Sequence, residues 1–155
     1  MTETGLDVPF VPTPRPVVRR MLEVAGTKPG ERLIDLGAGD GRIVVAAARE
    51  FGAKALGVEL HPDRYSLIRN NALSLKPNLQ ALRQNFFHTD LSSADIVTMY
   101  LLPSVNEALR KKLERELQSG ARVVTHDFSI PEWTPKRVEL LQGPIGLHAI
   151  YLYKI

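Results

Sequence analysis

The sequence predicts an α/β protein: a mostly parallel sheet of seven strands, helices on both faces, and a C-terminal antiparallel hairpin. Three observations predict it. Short apolar runs alternate with amphipathic helical stretches through most of the 155 residues, the pattern of strand–helix–strand units. A glycine-rich turn lies where the first strand gives way to a helix. The chain closes on two apolar runs joined by the turn Gly143-Pro144-Ile145-Gly146.

The elements follow in order. Residues 1–12 form a lead-in containing Pro9 and Pro12. Thr13 reads as an N-cap with Pro14 at the first helical position. Val17, Val18, Met21, Leu22 and Ala25 then recur at helical spacing, and Gly26 can close that helix. Lys28-Pro29-Gly30 is a turn. Residues 32–36 are an apolar strand, residues 37–41 the glycine-rich turn, and residues 43–51 a helix ended by Gly52. Residues 55–58 are the second strand. Pro62 opens a helix that presents Tyr65, Ile68, Ala72 and Leu75 on one face. A short strand is expected at 80–82 and a strong one at 95–101. Ser104-Val105-Asn106-Glu107 has the pattern of a capping box, starting a helix to about Gln118. Residues 121–125, 136–141 and 148–153 are the last three strands. The stretch between Asn85 and Asp95 is too short for a full helix, which leaves the mouth of the site open.

Composition narrows the function classes. There is no cysteine, so disulfides, thiolate metal sites and cysteine nucleophiles are excluded. Cytoplasmic residence fits that composition. The net charge is +3, with the basic residues spread along the chain, and the run Arg110-Lys111-Lys112 reads as a solvated helix face. No apolar stretch reaches the ~20 residues of a membrane span. The length suits one domain over residues 1–155 and a monomer.

The informative segment is Asp35-Leu36-Gly37-Ala38-Gly39-Asp40-Gly41-Arg42. Ligands of open, Rossmann-like α/β sheets bind beside such turns at the carboxyl ends of strands. A dinucleotide site would place its third glycine at position 42, but Arg42 stands there. Carboxylates at Asp35 and Asp40 would also repel a pyrophosphate, whereas they suit the ammonium and sulfonium of S-adenosylmethionine. Glu59, ending the second strand, can accept both ribose hydroxyls. No G-K-[ST] follows the glycines, so a phosphate-binding loop is excluded. The four histidines, His61, His88, His126 and His148, show no ligand spacing, so no metal is expected.

On these residues the chain resembles class I S-adenosylmethionine-dependent methyltransferases. More closely it resembles the small protein lysine methyltransferases of archaea and their mitochondrial relatives, which act on the ATP synthase c subunit and the adenine nucleotide translocase. The segments carrying the closer resemblance are Val8-Pro9-Phe10-Val11-Pro12-Thr13-Pro14, residues 17–22, 35–42, 113–117 and 121–124, and Trp133-Thr134-Pro135. The resemblance implies that the lead-in, residues 1–13, covers the cofactor through Phe10, Val11 and Thr13. It implies Asp35, Gly37 and Gly39 against the methionine part, Glu59 on the ribose, Asn85 and Phe86 on adenine, and Tyr100 and Leu101 where nucleic-acid amino-methyltransferases carry Asn/Asp-Pro-Pro-Tyr/Phe. Met99-Tyr100-Leu101-Leu102-Pro103 lacks that motif, which disfavours nucleic acid as substrate.

A lysine-bearing protein is therefore the expected partner. Tyr100 is the candidate for orienting the amine, while His126, Asp127 and Trp133 are candidates for contacting substrate. Each has a plain structural alternative: Phe10 as a core plug, Asn85 as a turn cap, Tyr100 as a buried strand residue, His126–Asp127 as a solvated strand end, Trp133 as edge packing. Methylation of RNA or a small molecule, and cofactor binding without catalysis, are the competing functions.

Overall fold

The computed structural model describes residues 10–155. Val8 and Pro9 of the lead-in lie outside the described residues. The elements run α1 (Arg15–Val24), β1 (Arg32–Leu36), α2 (Arg42–Phe51), β2 (Lys54–Val58), α3 (Pro62–Leu75), β3 (Leu79–Leu82), a 3₁₀ turn (Phe86–His88), β4 (Ile96–Met99), α4 (Pro103–Glu116), β5 (Arg122–His126), β6 (Arg137–Gln142) and β7 (Leu147–Lys154). Every expected strand and helix is present.

The strands form one sheet in the order β3-β2-β1-β4-β5-β7-β6. The first five pair in parallel, and β7 runs antiparallel to both β5 and β6. The terminal hairpin is thus confirmed, but its second strand slots between β5 and the edge. Alternation along each strand separates two cores. Leu33, Ile96, Val124 and Ile150 face α1, α2 and α3, whereas Ile34, Val97, Val123 and Tyr153 face α4. Strands buried on both faces read as continuous apolar runs, which is how the sequence showed them. Leu109 of α4 is fully buried in the second core. Leu109→Ala should cost about 3 kcal/mol of stability, read as a lower midpoint in urea denaturation with an unchanged slope.

Two helix starts differ from expectation. At α1 the cap position belongs to Pro14, and Pro16 sits in the first turn. The Thr13 hydroxyl is drawn instead to His126 Nδ1, 3.1 Å away. At α4 the helix begins one residue before Ser104, with Leu102 at the cap, Pro103 in the first turn, and no side-chain cap. Glu107 therefore has no capping box to complete and pairs with Arg110 at 3.2 Å. Both cases have one cause: proline, lacking an N–H and with φ preset, starts the helix without a side-chain acceptor.

Arg122 of β5 closes the amino end of the sheet. Its guanidinium donates to both Glu31 oxygens, at 2.7 and 2.8 Å, and to the Ala25 carbonyl at 3.0 Å. This planar fork joins the end of α1 to the entry of β1. Among the described residues no helix is long and apolar enough to cross a membrane.

Candidate active site

The connections from β1 travel one way across the sheet to β2 and β3, and those from β4 travel the other way. Between two such halves a crevice opens at the carboxyl ends of the strands. The residues that follow β1, β2 and β4 meet there. One cavity is lined by Phe10, Val11 and Thr13 of the lead-in, Asp35, Gly37, Gly39 and Glu59, Phe86 of the 3₁₀ turn, and Tyr100 and Leu101 after β4.

The turn after β1 is shaped by what crowds it. Gly39 has φ +60°, and a Cβ there would stand 2.5 Å from the Phe10 ring. The missing side chain thus lets the lead-in close on the turn. At Gly41 a Cβ would meet Ile68 of α3 at 2.8 Å, so that glycine serves helix packing and lies outside the cavity wall.

The acidic groups divide into two kinds. Asp40 is spent on structure: Arg42 grips it at 2.7 Å through Nη2 and reaches the Thr13 carbonyl at 3.1 Å through Nη1. Burial pushes the Asp40 carboxyl up, but the Arg42 bonds and charge outweigh it and hold it below the usual range. Asp40 lines the cavity with its charge already paired by Arg42. Asp35 and Glu59 do stand ready. Asp35 is almost fully buried and accepts from Thr98 Oγ1 at 2.8 Å. Burial raises its pKa from 3.8 to about 7; the Thr98 bond opposes the rise, and the charges of Glu59 and Asp40 add to it. Glu59 Oε1 accepts from Gly39 N at 2.8 Å and its Oε2 from His61 N at 2.9 Å. The Arg64 guanidinium lies 3.5 Å from Glu59 and 4.8 Å above the Phe10 ring, tying lead-in, β2 end and α3 together.

Tyr100 lines the cavity, its ring centre 4.0 Å from that of His126 and stacked on Phe128 at 6.2 Å. Burial, and then the Asp127 charge, raise the phenol above its ordinary pKa. It is a neutral hydroxyl at working pH, able to orient an amine but unable to take its proton.

Several expected site residues lie elsewhere. Asn85 Oδ1 accepts from Phe87 N at 3.0 Å and caps the 3₁₀ turn, outside the cavity wall. Trp133 is edge-on to Tyr153 and donates to Glu114 at 2.7 Å. It lines a separate depression with Lys154 and Ile155, and Lys154 pairs with Arg122 at the amino end of β5, away from the crevice. Trp133 thus packs at the sheet edge, away from the crevice. His126 is fully buried, so it is neither a solvated strand end nor able to touch substrate directly. Asp127 adopts φ +61° and is committed through Oδ1 to Ala149 N at 3.0 Å.

The histidines also cluster, contrary to the sequence reading. His126 Nε2 lies 2.8 Å from His148 Nδ1, and Asp127 Oδ2 stands 3.4 and 3.6 Å from those two nitrogens. Antiparallel pairing of β5 with β7 brings them together across 22 residues, a distance no local spacing reveals. Thr98, Arg42, Arg64 and His148 are the residues that sequence reasoning missed. Only Arg42, beside Asp40, carried a local signal.

The ANTKMT methyltransferase domain family model matches residues 35–137. A protein-lysine N-methyltransferase of Saccharolobus islandicus is 46% identical, over 96% of this chain and 94% of its own length. The mouse adenine nucleotide translocase lysine N-methyltransferase is 36% identical over 86% of this chain, which spans 58% of that longer protein. Among solved structures, an RNA methyltransferase from Salinibacter ruber in complex with S-adenosyl-L-homocysteine superposes with a TM-score of 0.88 and 44% identity, covering 94% of each chain.

Proposed function

The chain belongs to the ANTKMT methyltransferase domain family, and from that premise we propose that it transfers methyl groups from S-adenosylmethionine to lysine side chains of proteins. The observation that carries the cofactor assignment is the buried pair Asp35 and Glu59, ending adjacent parallel strands around a glycine turn. Arg42 and Arg64 also line the cavity but are paired with Asp40 and Glu59, and the buried Asp35 has no basic partner, which suits a cationic ligand bearing a ribose and disfavours a phosphate. Lysine as the acceptor is supported by the 46%-identical relative of nearly equal length.

S-adenosylmethionine supplies the activated methyl on its sulfonium, and the protein supplies alignment. Asp35 and the backbone of Gly37 and Gly39 would hold its methionine part, Glu59 its ribose hydroxyls, and Phe86 and Leu101 its base. Phe10, Val11 and Thr13 cover it. Tyr100 orients the incoming amine. A lysine ammonium, with a pKa near ~10.4 in water, must lose a proton before it can attack, and the buried setting beside a sulfonium favours the neutral amine.

A second reading, RNA as acceptor, is favoured by the name of the Salinibacter protein. The residues after β4 argue against it, because Met99-Tyr100-Leu101-Leu102 offers no Asn/Asp-Pro-Pro pattern to grip an exocyclic base amine. Incubation with methyl-labelled cofactor and a cell extract, split into protease- and nuclease-treated halves, separates the two. Protease-sensitive label is the expected outcome, and label in RNA alone overturns the lysine assignment. Tyr100→Phe should slow the protein reaction about tenfold, the effect of one lost hydrogen bond. Full activity would remove the hydroxyl from the mechanism.

A further inference from the structure

The lysine reading leaves a proton to be disposed of, and the cavity wall opens onto a chain of groups able to carry it. Thr13 lines the cavity. Its Oγ1 is 3.1 Å from His126 Nδ1; His126 Nε2 is 2.8 Å from His148 Nδ1. His126 is fully buried directly behind Tyr100, while His148 lies partly exposed at the start of β7. The polar atoms thus run without a break from the cavity to the surface.

The two imidazoles face one another head-on. Their ring centres are 5.0 Å apart with the facing nitrogens at 2.8 Å, so each nitrogen lies nearly on the line between the rings. Two histidine nitrogens bound to one tetrahedral metal at about 2.1 Å would stand about 3.4 Å apart, each ring aimed at the metal and not at the other ring. The arrangement suits a single shared proton. Asp127 Oδ2, 3.4 Å from His126 Nε2 and 3.6 Å from His148 Nδ1, places a negative charge beside that proton. Asp127 is pinned by Ala149 through backbone and side chain: Asp127 N donates to Ala149 O at 2.7 Å, and Ala149 N donates to Asp127 Oδ1. Gly143 leaves the room for the outer ring, since a Cβ there would lie 2.8 Å from His148 Nε2.

We propose that Thr13, His126 and His148 form a proton exit from the methyl-transfer site, resting on the lysine reading above. The ammonium proton passes to Thr13 Oγ as the Thr13 hydroxyl proton moves to His126 Nδ1. The His126 Nε2 proton moves to His148 Nδ1, and His148 releases its Nε2 proton to water. One proton leaves and the amine lone pair is freed; once product has gone, the same transfers run in reverse from water at His148 to water in the emptied cavity, which restores both tautomers, and that returned proton leaves through the cavity mouth. Asp127 steadies the transient positive charge on the imidazole pair. Burial holds His126 down to about 4, with the Asp127 charge opposing and the His148 charge assisting, so it rests neutral and does not retain the proton. Tyr100, the remaining ionisable group against His126, is likewise neutral.

The test uses the whole protein, a labelled protein substrate and four variants: Thr13→Val, Thr13→Ser, His126→Asn and His148→Gln. Positioned proton transfer contributes about a hundredfold or more. Thr13→Val and His126→Asn should therefore lose about that much at neutral pH, and Thr13→Ser should recover most of it. The deficit should shrink as pH rises, because a neutral amine is then supplied from solution. S-adenosylhomocysteine affinity, measured by calorimetry, should stay within threefold of wild type in His148→Gln. Proton NMR of the cofactor-free protein should show a protected imidazole N–H that vanishes in His148→Gln. A Thr13→Val rate matching wild type at every pH overturns the relay alone. So does a pH-independent loss that merely follows weakened cofactor binding. A wild type that labels only RNA overturns the lysine reading and the relay with it.

Discussion

Replacing Glu59 with alanine is expected to weaken S-adenosylmethionine binding by about three orders of magnitude. The carboxylate is almost fully buried and both its oxygens are engaged, with Gly39 N on one side and His61 N on the other. Its loss removes the carboxylate placed at the end of β2 to accept from two ribose hydroxyls, each hydrogen bond to a charged group being worth about 1.5–3 kcal/mol. A combined effect near 4 kcal/mol corresponds to about a thousandfold in affinity. The measurement is a calorimetric titration with S-adenosylhomocysteine, with circular dichroism to show that the variant is folded. Glu59→Gln, which keeps one acceptor oxygen, should fall between wild type and Glu59→Ala. An alanine variant that binds within tenfold of wild type would place the ribose elsewhere.

Asp35 gives the second large effect, and its sign reverses between stability and binding. In the cofactor-free protein its pKa is raised to about 7 from 3.8. An unfolded chain releases that proton near the ordinary value, so between about pH 4 and pH 7 the folded state binds more protons. Stability from this group is therefore full below pH 4 and declines as pH rises to 7, by on the order of 4 kcal/mol. Asp35→Asn removes the dependence, and its cofactor-free form should exceed wild type in stability at pH 8 and match it near pH 4. Binding runs the other way. A cationic ligand prefers the carboxylate, so wild-type affinity should rise with pH, up to about tenfold per unit, and level off above pH 7. The asparagine variant should bind weakly at every pH. Urea denaturation and calorimetry at pH 5, 6, 7 and 8 test both halves. Parallel pH profiles for wild type and variant would show that Asp35 does not titrate at this site. The site thus keeps a buried acid that costs the empty fold stability and recovers it through the ligand's charge.

Much of the site could be read along the chain because its parts are short-range. Asp35, Gly37 and Gly39 follow one strand within five residues, and Glu59 ends the next. Phe86, Tyr100, Leu101 and Asn85 were placed by resemblance; the first three line the cavity, and Asn85 lies outside its wall. Asn85 turns back to cap its own 3₁₀ turn, as short polar side chains do. Trp133 has its indole N–H taken by Glu114 from another element.

The sequence by itself determined the order and type of the elements, the parallel sheet with its terminal hairpin, and the acidic glycine turn with its partner acid. Hydrophobic period, glycine and proline placement, and strand-end chemistry act over a few residues, so they are written locally. The tertiary structure alone decided that Asp40 belongs to Arg42, that Thr98 supports Asp35, and that Thr13, His126 and His148 lie in one line. Thr13 and His126 are 113 residues apart, His126 and His148 are 22 apart. They meet only because α1 delivers the lead-in to the carboxyl edge of the sheet and β7 returns antiparallel beside β5. Strand order and register are properties of the whole packed sheet, set by which faces bury their apolar residues together, and no single stretch of sequence encodes them.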